Sequence, residues 1–242
     1  MKAIFLSFAV LALPAIPTLA QAQAVAPVAT APKPPTQFQY LNPADFEPAR
    51  LLPAPPAKGS PAEKLELETL RALIASASTA RLEQAKWDAA HEDSAIFSTT
   101  IGRDITKLPA TWELLEIVHS EANIAAGLSK VYFGRTRPWG LDPALHDCEG
   151  KPNANPLRGY PSGHATLSYS VGYVLAQLLP GQASAILAKA DDYARSREYC
   201  ASHFASDTAA SHVVGTLAAV RLLADPRLAD RVAAARAELA AH

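Results

Sequence analysis

PSGHATLSYSVGYVLAQLLP, residues 161–180, is a small-residue turn that runs straight into a helix. Leu167, Val171, Val174, Leu175 and Leu178 recur at helical spacing, and Pro180 stops the run. Ser162 or Gly163 therefore stands at a helix start, where unpaired backbone N–H groups favour an anion. Gly163 lets the backbone approach a ligand closely, Ser162 adds a hydroxyl donor, and His164 reaches the same volume. A capping serine followed by a core histidine explains the tetrapeptide about as well.

The same period extends in both directions. Ser60-Pro61-Ala62-Glu63 supplies an N-cap, a proline at the first helical position and a capping-box glutamate, ahead of Leu67, Leu70, Leu73 and Ile74. A less regular stretch, 80–101, is expected to hold a helix around Trp87. Pro109 opens a long helix with Leu114, Ile117, Val118, Ile124 and Leu128 on one broad face, ending near Lys130. Residues 139–160, rich in proline and glycine, read as a loop. Helices are expected over 182–202 and 208–223, and Asp225-Pro226 starts a last one. Neither strand alternation nor an internal repeat stands out. The expected fold is all-α, a single globular helical domain over 60–242.

The 242 residues suit one domain with appendages, and Lys+Arg (22) nearly balance Asp+Glu (23). That balance, without a long basic run, argues against a nucleic-acid partner, so any anion recognition is local. Lys2 followed by a short apolar run, prolines and small residues reads as a signal peptide over 1–22, because a membrane span needs roughly 20 apolar residues. No later segment reaches that length, so a soluble, periplasmic or secreted bacterial protein is expected. Residues 23–59 read as a Pro/Ala-rich extended arm, and Phe38, Tyr40, Leu41, Leu51 and Leu52 suggest that its second half packs on the domain. With export, the two cysteines, Cys148 and Cys200, have a single intramolecular pairing open to them; two buried free thiols are the alternative.

Polar residues around the opening stretch carry the chemistry. His203 and Asp207 stand four apart; if helical, they share a face, and the carboxylate orients one ring nitrogen while the other stays free. An ordinary helix pair, or two metal ligands, accounts for the same spacing. Lys130, Arg137 and Arg197 are individually unremarkable surface cations, and Arg135 competes for the same role. Arginine nevertheless suits bidentate phosphate binding, with lysine as a point charge beside it.

Together these residues form K-x6-R-P (Lys130 to Pro138), P-S-G-H (Pro161 to His164) and S-R-x5-H-x3-D (Ser196 to Asp207). This resembles the three-part signature of the type 2 phosphatidic acid phosphatase superfamily, whose site is vanadium haloperoxidase-like. Leu51 to Ser60 (L-L-P-A-P-P-A-K-G-S), Gly159-Tyr160 and Ser196 to Cys200 are similar to class A bacterial non-specific acid phosphatases. Arg158-Gly159-Tyr160, Ala165 and Phe204 depart from that family's usual G-S-Y, Thr and Trp.

The resemblance implies a helical bundle that includes the arm, and metal-independent hydrolysis of soluble phosphate monoesters without a cofactor. His203 would be the nucleophile, Asp207 its orienting carboxylate, and His164 the acid and then base. Lys130, Arg137, Arg197, Ser162 and Gly163 would hold the phosphate oxygens. It also implies an acidic optimum and a homo-oligomer. A phytase-like or nucleotide-preferring phosphatase, a phosphotransferase, a vanadate-dependent haloperoxidase and a phosphate-binding module without turnover all use similar parts. His91, His119, His146, His212 and His242 fit no block and read as structural or surface residues.

Overall fold

A computed structural model describes residues 37–148, 150 and 155–241. The expected signal peptide and the first part of the arm lie outside the described residues. Seven longer helices carry the fold: α1 (Pro61–Ala75), α2 (Thr79–Ala90), α3 (Pro109–Phe133), α4 (Gly163–Leu178), α5 (Ala183–Tyr199), α6 (Ala205–Leu223) and α7 (Ala229–Ala240). The described residues are all-α and contain no strand.

Helix α4 is the axis of the bundle: α5 and α6 pack along it most extensively, and α3 crosses it as well. Its composition explains that position. Leu167, Val171, Val174 and Leu175 are buried together with Ser168 and Ser170, so almost no face of the helix meets water. The buried serines are satisfied by bonding back to helical carbonyls, Ser168 to Ala165 and Ser170 to Leu167. Gly215 lets α6 approach, since a Cβ there would lie 2.7 Å from the Thr166 carbonyl oxygen.

Start signals act as local chemistry predicts. Ser60 Oγ accepts from the Glu63 N–H at 3.2 Å. Glu63 reaches one residue further back than a simple capping box, to the Gly59 N–H at 2.6 Å. Gly134, at φ 54°, closes α3 in the left-handed conformation. Two boundaries differ from the periodicity. Helix α5 ends at Tyr199, not at 202, because Ala201 takes a positive φ of 52° and turns the chain. Helix α6 begins at Ala205, not at 208, because the Asp207 carboxylate accepts from the Phe204 N–H at 2.8 Å and caps the new helix. His203 therefore sits in the turn between α5 and α6 and does not share a helix with Asp207.

In its described part the arm is not uniformly extended: Pro43–Phe46 is a 3-10 turn and Pro48–Leu51 a single α-turn. Leu41, Phe46 and Leu52 are buried against the core. Glu121 in the middle of α3 fixes this packing, its carboxylate accepting from the N–H groups of Gln39 (2.8 Å), Tyr40 (3.1 Å) and Leu41 (2.9 Å). Three backbone donors on one buried carboxylate are worth more than neutral hydrogen bonds. Glu121→Ala is expected to destabilise the protein by about 3 kcal/mol. Limited proteolysis should then cut near Tyr40 while the helices stay intact, and an unchanged denaturation midpoint would contradict this.

Cys148 and Cys200 are joined, with a Cα–Cα distance of 5.0 Å. The bond ties the 139–160 loop, whose described residues are helical only up to Leu141, to the end of α5. A closed loop of that length is worth about 4 kcal/mol on the chain-entropy account. Among the described residues no helix is long and apolar enough to cross a membrane.

Candidate active site

The 161–164 turn is built from both sides. Ser162 is the N-cap of α4, its hydroxyl accepting from the Ala165 N–H at 3.3 Å. Ser211, one turn beyond Asp207 on α6, binds it from below. Its hydroxyl accepts from the Ser162 N–H at 2.9 Å and lies 2.7 Å from the Asp207 carbonyl and 3.0 Å from that of Ser162. Gly163 keeps the floor open: a Cβ there would meet no backbone atom but would point at Glu92 Oε1, 3.4 Å away, and Asn123 Oδ1. Lys130, buried at the end of α3, donates to the Pro161 carbonyl and, at 3.3 Å, to that of Arg158.

His203 is buried, and its Nδ1 lies 2.7 Å from the Gly159 carbonyl oxygen. A carbonyl only accepts, so Nδ1 carries the proton and Nε2 is the lone-pair nitrogen of the neutral ring. The Asp207 carboxylate is further off, at 3.4 Å from Nδ1. Burial pushes the His203 imidazole well below its ordinary pKa, and the positive charges of Arg137, Lys130 and Arg197 push in the same direction. Three cations from two separate sequence blocks thus bear on one neutral imidazole. Lys130 answers the same field: burial, then Arg137, lowers its pKa to about 7.

Backbone bonds set the spacing of these groups. The Arg137 N–H donates to Pro156 O (2.8 Å) and the Gly159 N–H to Arg135 O (2.9 Å), so the two strands of loop run together. The His203 and Ser202 N–H groups both donate to the Arg197 carbonyl, at 3.2 and 3.1 Å. Arg197, fully buried, is backed by its neighbour Ser196, whose hydroxyl donates to the buried Asp88 carboxylate at 2.5 Å and accepts from Arg81 at 2.9 Å. The serine of the third block is therefore a strut between α2 and α5.

Arg135, the competitor in the sequence, points elsewhere. Its guanidinium binds Asp207 Oδ1 at 2.5 Å, Ser206 Oγ at 2.6 Å and the Glu66 carboxylate of α1, and it lies 4.4 Å over the Phe204 ring. Burial pushes the Asp207 carboxyl up to about 7 against the pull of Arg135 and the Phe204 N–H. Arg135 is the counterion of the carboxylate and is spent there.

His164 occupies the opposite corner. Its Nδ1 is 3.1 Å from Glu92 Oε1 and its Nε2 is 3.2 Å from the Ala89 carbonyl. The Tyr193 ring lies nearly parallel to it, centroids 6.1 Å apart, with the Tyr193 hydroxyl donating to His91 O at 2.6 Å. His119 of α3 faces the same corner: burial lowers its pKa, and the Glu92 charge raises it. Glu92 and the Gly159 carbonyl were not foreseen, because neither belongs to a block and only tertiary packing brings them in. The R-T-R spacing of Arg135 was visible, but its direction was not.

Residues 110–229 match the PAP2 superfamily. The chain is 31% identical over 197 residues to a non-specific acid phosphatase of Salmonella typhi, covering 78% of each chain. It is 27% identical to an acid phosphatase of Zymomonas mobilis, over 75% of this chain and 72% of that one. It is 26% identical to a non-specific acid phosphatase of Providencia stuartii, over 85% and 86%. Such likeness extends well beyond the three blocks, and this chain belongs to the PAP2 superfamily, among its acid phosphatases.

Proposed function

We propose that this phosphoric monoester hydrolase turns over soluble phosphate esters through a phosphohistidine, without a metal, in the periplasm or outside the cell. The observation that carries the reading is the buried neutral His203, its Nδ1 proton held by Gly159 and its Nε2 among the charges of Lys130, Arg137 and Arg197.

In the first half-reaction His203 Nε2 attacks phosphorus and the P–O ester bond breaks. His164 gives its proton to the departing oxygen. In the second, water loses a proton to His164 and attacks phosphorus; the P–N bond breaks, and phosphate leaves with both histidines restored. Phosphoryl transfer asks chiefly for alignment and for charge on the equatorial oxygens. Lys130, Arg137 and Arg197, the Ser162 hydroxyl and the Gly163 N–H are the donors for that task. Asp207, held by Arg135, steadies the His203 ring and offsets the positive charge that His203 gains on phosphorylation.

The two titrations favour acid conditions. Lys130 is charged below about pH 7 and loses its charge above it. His203, pushed well below its ordinary value, stays neutral as the solution becomes mildly acidic. Between those limits a neutral nucleophile and a charged cradle coexist, so turnover should fall as pH rises through about 7. The Cys148–Cys200 bond supports an oxidising compartment.

The test is hydrolysis of p-nitrophenyl phosphate by the purified protein in excess chelator. Undiminished turnover is expected. Loss of activity that zinc or magnesium restores would overturn the metal-free mechanism, and no hydrolysis under any condition would leave a binding protein.

A further inference from the structure

The end of α2 and the connection after it wrap the His164 ring. Ala89 O faces Nε2, Glu92 Oε1 faces Nδ1, and His91 O takes the hydroxyl of Tyr193, whose ring lies parallel to the imidazole. With acceptors at both nitrogens, the ring is satisfied when it donates from both, as an imidazolium. A general acid needs that form at the moment the ester bond breaks.

Glu92 is the charged member of this collar. Burial pushes its carboxyl up, yet the hydrogen bond from His164 and the charges of His164, His119 and Arg197 together hold it below the usual carboxylate range. It is therefore an anion, and its side chain is 43% exposed, on the solvent side of the site. The groups around it come from three elements: Asp93 beside it on the connection, His119 on α3, and Tyr193 and Arg197 on α5. Of these, only Glu92 places a carboxylate within hydrogen-bond distance of the ring. Asp207 cannot serve His164, being committed to Arg135, Phe204 N–H and His203.

We infer that Glu92 is the positioning residue of the acid: its carboxylate holds the Nδ1 proton and fixes the His164 ring, so that the Nε2 proton, which faces the Ala89 carbonyl at rest, is the one the leaving alcohol takes. The inference rests on the proposed acid role of His164. The site then has two carboxylate–imidazole pairs with opposite tasks. Asp207 is paired with Arg135, and burial with the three cations keeps the nucleophile unprotonated. Among the described residues Glu92 has no such counterion in hydrogen-bond contact apart from the imidazole itself, so its carboxylate is left to hold the Nδ1 side of the ring.

Leaving groups separate this role from a structural one. p-Nitrophenolate departs with little help from a proton, whereas an alkoxide such as that of glycerol phosphate needs one. kcat/KM reads the steps up to departure, so second-half effects do not enter. For Glu92→Gln, which keeps the size of a half-exposed side chain, kcat/KM on glycerol phosphate should fall on the order of 10–100-fold, part of the 10²–10⁴ that general acid catalysis supplies. The fall on p-nitrophenyl phosphate should stay within about threefold, because proton donation contributes little there. Glu92→Asp should recover part of the alkyl activity.

His164→Ala, measured beside it, separates two failures. If His164→Ala discriminates between the substrates and Glu92→Gln slows both equally or neither, the inference about Glu92 is overturned. If His164→Ala slows both substrates equally, the acid role of His164 falls, and the inference falls with it.

Discussion

His203→Ala should lower turnover of p-nitrophenyl phosphate by at least about 10³-fold, more than the loss of any single cradle donor, which costs about 10²–10³. The residue is buried and its ring is held by one backbone carbonyl, so truncation removes the nucleophile and leaves the cations in place. Those cations should still bind phosphate, and the KM of the residual reaction should stay close to that of the parent. Rapid mixing with labelled ester, quenched in alkali, should trap label on the parent protein, because phosphohistidine survives base and is lost in acid. His203→Ala should trap none. Near-normal turnover by a folded His203→Ala protein would remove the covalent mechanism altogether.

Arg135→Ala should be the most destabilising single change at the site, although Arg135 holds no phosphate oxygen in the mechanism above. Arg135 and Asp207 have side chains 2% and 0% exposed, and they are joined at 2.5 Å. Removing one partner of a buried pair strands the other charge, at a cost of about 3–5 kcal/mol. Asp207→Asn on that background should restore part of the stability, since an amide needs no counterion. Arg135→Lys should not rescue fully, because a point charge cannot span Asp207 and Glu66 as the planar guanidinium does. Denaturant midpoints of the four proteins decide this, and an Arg135→Ala midpoint equal to that of the parent would show that the buried Arg135–Asp207 pair contributes no net stability.

Much of the molecule was legible because its signals are local. Helix periods at Leu167 to Leu178, the Ser60 and Ser162 caps and the Pro109 start each depend on a few neighbours in sequence, and each lies where such rules place it. The three blocks gave the cations and both histidines. What was illegible depended on packing. The four-residue spacing of His203 and Asp207 suggested one helix face, yet a helix start at Ala205 places the pair across a cap. The nearer partner of the imidazole is a backbone carbonyl from 44 positions away, and a backbone atom leaves no trace in residue identity. Arg135 stands two residues from Arg137, and nothing in that spacing tells that α1 and α6 each bring a carboxylate to Arg135. Glu92 lies on a short connection with no period at all.

Ser211 gives the mechanism a property that belongs to time more than to shape. One hydroxyl is bound to the Ser162 turn and to the Asp207 carbonyl, so the anion-binding turn and the cap that carries the nucleophile's carboxylate share a single fixed point. In the proposed mechanism the phosphoryl group hangs on His203 between the two half-reactions and waits for water. During that interval nothing but protein geometry keeps its oxygens on the donors of the turn. A hinge between the two would let the intermediate drift, and every drift would lengthen its life. With the hinge pinned, the second half-reaction meets the same preorganised field as the first, and the phosphoenzyme should be short-lived in the parent protein and longer-lived once Ser211 is replaced by alanine.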